Sequence, residues 1–169
     1  MRIILGADHG GFALKEEIKK WLSLGNTRDL GVPRVTEKYE VTDVGATGLD
    51  PEDDFVDYAV LVAEEVAESD GVRGILFCRN GFGMMIAANR FSGVRCGEAF
   101  DVEAVARGRT DDDINCLSVP ADYIKNDNAR KMIEVFLETK FSGEEKYKRR
   151  LEKLESLRGE CCGGGCGSC

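Results

Sequence analysis

One histidine and seven cysteines among 169 residues narrow the chemistry open to this chain. A multi-histidine metal site within the chain is excluded. A Ser-His-Asp triad would have to use His9, and no G-x-S-x-G turn accompanies it. Two glycine-rich segments remain. Gly6-Ala7-Asp8-His9-Gly10-Gly11 puts a carboxylate and an imidazole directly after an apolar run. Its glycine spacing is not that of a dinucleotide-binding turn. Cys78-Arg79-Asn80-Gly81-Phe82-Gly83 puts a thiol ahead of glycines whose backbone N–H groups can face an anion. A thiol at a strand end beside a helix N-terminus is expected to have a lowered pKa and to act as thiolate base or nucleophile. Each segment also has a plainer reading, in which Asp8 is a helix N-cap beside a solvated His9 and Cys78 is a small buried apolar residue.

The elements that would carry these segments follow from periodicity. Short apolar or alternating runs predict strands over 2–7, 39–44, 73–78, 93–97 and 115–119. Helical spacing of apolar residues predicts helices over 12–24, 55–68, 84–90, 102–107, 129–138 and 144–157. Residues 25–38 and 45–54 read as loops. Strands alternating with helices imply an α/β fold, a Rossmann-like three-layer α/β/α sandwich on a five-stranded parallel sheet. In such sheets ligands bind beyond the carboxyl ends of the strands, where both glycine-rich segments fall. Residues 1–158 are expected to form one domain, with a Gly/Cys-rich tail at 159–169.

Composition removes other classes. The net charge of −8 argues against a phosphate-backbone binder, so no nucleic-acid partner is expected. No apolar run approaches about 20 residues, and the first residues lack a signal-peptide pattern, so the expected setting is cytoplasmic with no membrane partner. In that setting Cys161, Cys162, Cys166 and Cys169 could hold zinc or an iron–sulfur cluster, or could simply be exposed thiols on a flexible tail.

Three segments together resemble one family. They are Gly6-Ala7-Asp8-His9-Gly10-Gly11-Phe12-Ala13-Leu14-Lys15, then Asp54-Phe55-Val56-Asp57-Tyr58-Ala59, then Cys78-x-x-Gly81-x-Gly83-Met84-x-Ile86-Ala87-Ala88-Asn89-Arg90-Phe91-x-Gly93-Val94-Arg95. In order and spacing they are similar to the ribose-5-phosphate isomerase B family, which also contains the galactose-6-phosphate isomerase subunits. The likeness runs from Met1 to about Leu157, with an insertion around 25–38. It implies a cofactor-independent aldose–ketose isomerase acting on a small phosphorylated sugar through a cis-enediolate. It also implies a homodimer, or dimer of dimers, with active sites at the interface. Cys78 matches the family's base, and the Asn80–Gly83 amides match its enediolate-stabilising loop. Asp8 and His9 match its substrate-contacting pair, and Gly81, Phe82, Gly83, Asn89 and Asn115 join the implied substrate contacts.

The chain departs from the family pattern at several of these places. Arg79 and Asn80 replace a Gly-Thr pair; Arg79 could add a cation for an acidic substrate, and Asn80 could donate where the threonine hydroxyl acts. Asp111 stands where the family has a ring-opening histidine, and would need a tuned pKa to act as acid or base. Pro120-Ala121-Asp122-Tyr123 lacks the phosphate arginine, so Lys146, Arg149 and Arg150 become candidate phosphate contacts; their plainer reading is a solvated helix face. Two other outcomes stand beside the isomerase: a non-catalytic sugar- or anion-binding homologue, and a subunit that needs a paralogous partner.

Overall fold

Burial along the first strand explains why the chain begins as it does. Ile3, Ile4, Leu5 and Ala7 are all fully buried, so β1 (Arg2–Ala7) is covered on both faces, as an interior strand of a parallel sheet must be. The structure, a computed structural model, describes residues 1–23 and 39–157. The order is β1, α1 (Phe12–Ser23), β2 (Glu40–Asp43), α2 (Phe55–Ala67), β3 (Val72–Cys78), α3 (Phe82–Ala88), β4 (Cys96–Glu98), α4 (Val102–Asp112), β5 (Cys116–Pro120), α5 (Asn126–Glu138) and α6 (Glu145–Ser156). The expected loop at 25–38 and the cysteine tail, with Cys161, Cys162, Cys166 and Cys169, lie outside the described residues.

The five strands are parallel, in the order β2-β1-β3-β5-β4. Two apolar clusters flank them. One packs α1 and α5 around Phe77, Leu117 and Phe136; the other packs α2 and α3 around Val62, Leu76 and Met84. This is the expected three-layer α/β fold.

Register decides what meets at the functional end. Ala7 pairs with Phe77, and Cys78 with Pro120, so the loops after β1, β3 and β5 leave the sheet side by side. A second tie brings in the loop after β2. Lys15 is 1% exposed, yet its Nζ donates to Asp43 at 2.8 and 3.0 Å and to the Ala46 carbonyl at 2.7 Å. Ala46 N–H donates in turn to the Ala7 carbonyl at 2.8 Å. The buried ammonium thus has its partners and draws the acidic 45–54 loop over the end of β1. Burial alone would raise the Asp43 carboxyl, but the hydrogen bonds from Lys15 and Lys19 outweigh it and hold Asp43 below the ordinary range.

Three boundaries differ from the sequence expectation by three or more residues. β4 starts at Cys96 rather than 93, because 91–95 turn through a Val94-to-Phe91 backbone bond. α5 starts three residues early, at Asn126. α4 runs on to Asp112, so Arg109, Thr110 and Asp111 are helical rather than a loop. Asp101 caps its start through Glu103 and Ala104 N–H, and Asp113 ends it in the left-handed conformation. Arg109 holds the last turn from inside, donating to Asp113 at 2.7 Å and to the Thr139 carbonyl at 3.2 Å. Tertiary contacts override the weak helical propensity of this stretch.

Gly11 is the tightest joint between the two functional loops. A Cβ there would come within 2.1 Å of the Phe77 carbonyl oxygen, which is backbone and cannot turn aside. Gly11→Ala should therefore destabilise the fold by about 1–3 kcal/mol, the usual cost of overpacking. Denaturant unfolding checks this: the midpoint should fall with the slope unchanged, and a wild-type midpoint would show that the joint relaxes freely.

Candidate active site

Cys78 ends β3 and is 4% exposed. Its Sγ accepts a hydrogen bond from Gly81 N–H at 3.2 Å. Gly81 holds φ +80°, a conformation that favours glycine. Its carbonyl accepts from the buried Ser118 hydroxyl at 2.7 Å. Glu98, at the end of β4, lies against the same glycine: a Cβ on Gly81 would sit 2.8 Å from its Oε1. Glu98 is a neighbour of the thiol loop that sequence reasoning missed, since only the β4–β5 register carries it there. Burial pushes its carboxyl up.

The thiol is not activated as the sequence suggested. Burial pushes the Cys78 pKa up, and the Asp8 charge pushes the same way. Hydrogen bonds from the Gly81, Met84 and Asn80 backbones pull it down, but not far enough. The physical reason is that desolvation of a thiolate outweighs a few neutral N–H groups from a seven-residue helix. Such a thiol is ionised less often, and each thiolate is a stronger base.

The β1 loop faces this thiol. Asp8 Oδ1 accepts from Gly11 N–H at 2.9 Å, so one carboxylate oxygen closes the turn into α1. Burial raises the Asp8 pKa, against the lowering bond from Gly11. His9 is clamped by Asp53, a residue the sequence reading passed over because it lies 44 positions away in an acidic loop. Its Nδ1 lies 2.5 Å from Asp53 Oδ1, and its backbone N–H donates to both carboxylate oxygens at 3.0 and 3.2 Å. The Asp53 bond raises the His9 pKa, partly opposed by desolvation and by the nearby Arg79 charge. For Asp53, burial raises the pKa, but the bonds from His9 outweigh it and hold the carboxyl low.

The Arg79–Gly83 loop completes the near side. Asn80 Oδ1 accepts from Phe82 N–H at 3.2 Å, so its carbonyl is spent within the loop. The Gly81 and Phe82 amides are likewise engaged, with Cys78 and Asn80 respectively. A Cβ on Gly83 would touch the Phe55 ring at 2.8 Å, which places α2's first residue beside the loop. Arg79 Nε donates to Asp122 at 3.1 Å across the mouth. The result is a thiol, a carboxylate and a clamped imidazole around one opening at the carboxyl ends of β1 and β3.

The family described as Ribose/Galactose Isomerase matches residues 3–154. The chain belongs to this family. The probable ribose-5-phosphate isomerase B of Mycoplasma pneumoniae is 32% identical over 152 residues, 90% of this chain and 91% of that protein. The 4-deoxy-4-sulfo-D-erythrose isomerase of Clostridium sp. (strain MSTE9) is 33% identical over 162 residues, 95% of this chain and 87% of that protein. The Mycoplasma genitalium ribose-5-phosphate isomerase B structure with bound ribulose 5-phosphate has a TM-score of 0.83 at 30% identity, covering 94% of this chain and 97% of that one. The isomerase family carries the reaction class, intramolecular aldose–ketose isomerisation of a sugar phosphate. Among the described residues no helix is long and apolar enough to cross a membrane.

Several residues that the family likeness assigned to substrate lie away from Cys78 within one chain. Asn89 uses both ends of its amide on the Cys96 backbone, at 2.9 Å each, tying α3 to β4. Asn115 accepts from Arg95 N–H at 2.8 Å and donates to the Gly93 carbonyl at 2.7 Å. It precedes β5, at the amino end of the sheet, opposite Cys78. Asp111 belongs to that end too, in the last turn of α4. Burial would raise its pKa, but hydrogen bonds from Thr110 and Tyr147 and the charges of Arg107 and Lys146 hold it low. It is an ionised partner of a basic cluster rather than a tuned acid. Lys146 lies 4.4 Å and Arg150 5.5 Å from the Tyr147 ring centre on α6, with Arg149 exposed beside them. Within one chain, then, the structure brings together Cys78, Asn80, Gly81, Phe82, Gly83, Arg79, Asp8 and His9. It sets Asp111 and the α6 cations apart.

Two titrations read this electrostatics. The His9 ring should titrate above the ordinary 6.5 in NMR, and Asp53→Asn should bring it back down. The His9 contribution to stability is full below that ordinary pKa and is lost as pH rises through the raised value. The Asp53 contribution is lost as pH falls through its lowered one. Separately, iodoacetamide alkylation of Cys78 should have its midpoint above the free-thiol value of about 8.5. Asp8→Asn should lower that midpoint, and an unchanged midpoint would remove Asp8 from the thiol's environment.

Proposed function

We propose that this chain interconverts the aldose and ketose forms of a small sugar with an anionic end group, through a cis-enediolate, with Cys78 as the carbon base. The observation that carries this is the buried thiol at the strand end, held by Gly81 N–H opposite Asp8 and His9. The thiolate takes the proton from C2 of the open-chain aldose, the O2 hydroxyl proton passes to O1 in the enediolate, and the resulting thiol returns its proton to C1, leaving the C2 carbonyl of the ketose. Between these steps the negative charge lies on the enediolate oxygens, near the Asn80–Gly83 loop. Asn80 Nδ2 is the loop donor suited to meet it, since its Oδ1 is already engaged. Ribose 5-phosphate and ribulose 5-phosphate are the first substrates to try. The four-carbon sulfonate that the clostridial relative's name describes is the second.

A second copy completes the site in this proposal. Asp111, Lys146, Arg149 and Arg150 gather at the amino end of the sheet, where they cannot serve the Cys78 of their own chain. Phe82, Ile86 and Phe100 are exposed around the carboxyl end, an apolar surface suited to a homodimer contact. From the second copy, Lys146 and Arg150 would reach the substrate's anionic end, and the ionised Asp111 would accept from a sugar hydroxyl.

Cys78→Ala should cut turnover by about 10²–10⁴-fold, the range of a lost general base, and should abolish deuterium wash-in at C2 in D₂O. Mixing Cys78→Ala protein with Lys146→Ala/Arg150→Ala protein should restore part of the activity, because mixed dimers keep one intact site. Full turnover by Cys78→Ala would overturn the base assignment. Sugar binding without turnover or exchange by the wild type would favour a non-catalytic homologue.

A further inference from the structure

We propose that Arg79, aimed by Asp122 across Gly10, is an oxyanion anchor for the substrate's terminal group, lying in the same subunit as the thiol. The proposal rests on the isomerase reading for the identity of that group, but its geometry stands apart from it. Arg79 and Asp122 are 69% and 44% exposed, and an ion pair that open adds little to stability. Its placement nevertheless is tightly built. Ala121 N–H donates to the Cys78 carbonyl at 2.8 Å, and Asp122 N–H to the Arg79 carbonyl at 3.0 Å, so the two loops are locked backbone to backbone. Asp122 takes only Nε of the guanidinium. A carboxylate on Nε leaves the two terminal nitrogens as a planar fork, the geometry that suits a phosphate, sulfonate or carboxylate.

Gly10 seats the arginine. A Cβ there would come within 2.2 Å of Arg79 Cγ and 3.1 Å of Cδ, so the side chain lies flat on the β1 loop, over the residue next to His9. The Arg79 charge is close enough to His9 to act on its ring. The fork therefore stands beside the imidazole, one residue along the chain from the thiol. A sugar with its reacting carbons at Cys78 would lay its far end toward it.

The test separates the anchor from the reaction. Inorganic sulfate and phosphate are titrated into the full chain by calorimetry. Wild type and Arg79→Met are compared, with thermal unfolding confirming that both are folded. Arg79→Met should weaken anion binding about 10–100-fold, the range of a charge-assisted bond. With ribose 5-phosphate and its sulfonate-ended counterpart the loss should appear in KM. Asp122→Ala is the sharper variant. It removes a negative charge, so charge alone would tighten anion binding, whereas loss of aim weakens it. Weaker binding by Asp122→Ala supports the anchor, and a larger KM loss for one of the two sugars names the end group. Unchanged anion affinity in Arg79→Met, or tighter binding by Asp122→Ala, overturns it. If the wild type binds anions through Arg79 but turns over neither sugar, the anchor stands and the substrate assignment falls.

Discussion

The pairing of β1 with β3 governs most of what this molecule can do. These two parallel strands are held in register, Ala7 opposite Phe77, so the loops that follow must leave the sheet at the same height. Backbone groups at the end of a sheet lack further strand partners and need others. Here they find each other: Gly11 settles onto the Phe77 carbonyl, Ala121 N–H reaches Cys78, and Ala46 N–H reaches Ala7. Each of these closures brings one chemical group to the same opening. Asp8 and His9 arrive with the first, the β5 loop with Asp122 arrives with the second, and the loop carrying Asp53 arrives with the third.

Burial then sets the electrostatic character of that opening. The same close packing that positions Cys78 removes water from it, so desolvation dominates over the few amides that reach the sulfur. His9 goes the other way, because a half-open imidazole loses little hydration and gains a short bond to a carboxylate. The site holds an imidazole that keeps its proton to higher pH than usual and a thiol that gives up its proton reluctantly. For the proposed isomerisation that is a workable division: a strong base in short supply at carbon, and a clamped imidazole near the sugar's oxygen atoms.

The far end of the sheet has its own order. α4 extends to Asp112 and draws Asp111 against Tyr147 and Lys146 of α6, making a basic surface with an ionised aspartate in it. A parallel strand of five residues separates this surface from Cys78, since Cys116 opens β5 and Pro120 closes it beside the thiol. In the proposed reading these two ends of one sheet are half-sites, the arrangement that a symmetric dimer can close.

Local pattern was enough for the element types and the fold. Apolar runs in β1 and β3 read as strands because both faces are buried, and the glycines after them mark sharp turns regardless of context. The motif from Cys78 to Arg95 was also legible, since its glycines and small residues reflect contacts made within one β–α unit. Tertiary structure decided the rest. Asp53 could not be assigned to His9 from spacing, because the contact depends on a buried lysine in α1 folding an acidic loop over β1. That the Asn89 and Asn115 side chains hold backbone depends on which end of a strand each occupies, which the motif does not show. The direction of the Cys78 shift was equally out of reach: a sequence shows the amides that can stabilise a thiolate, whereas only packing shows how much water the thiolate has lost.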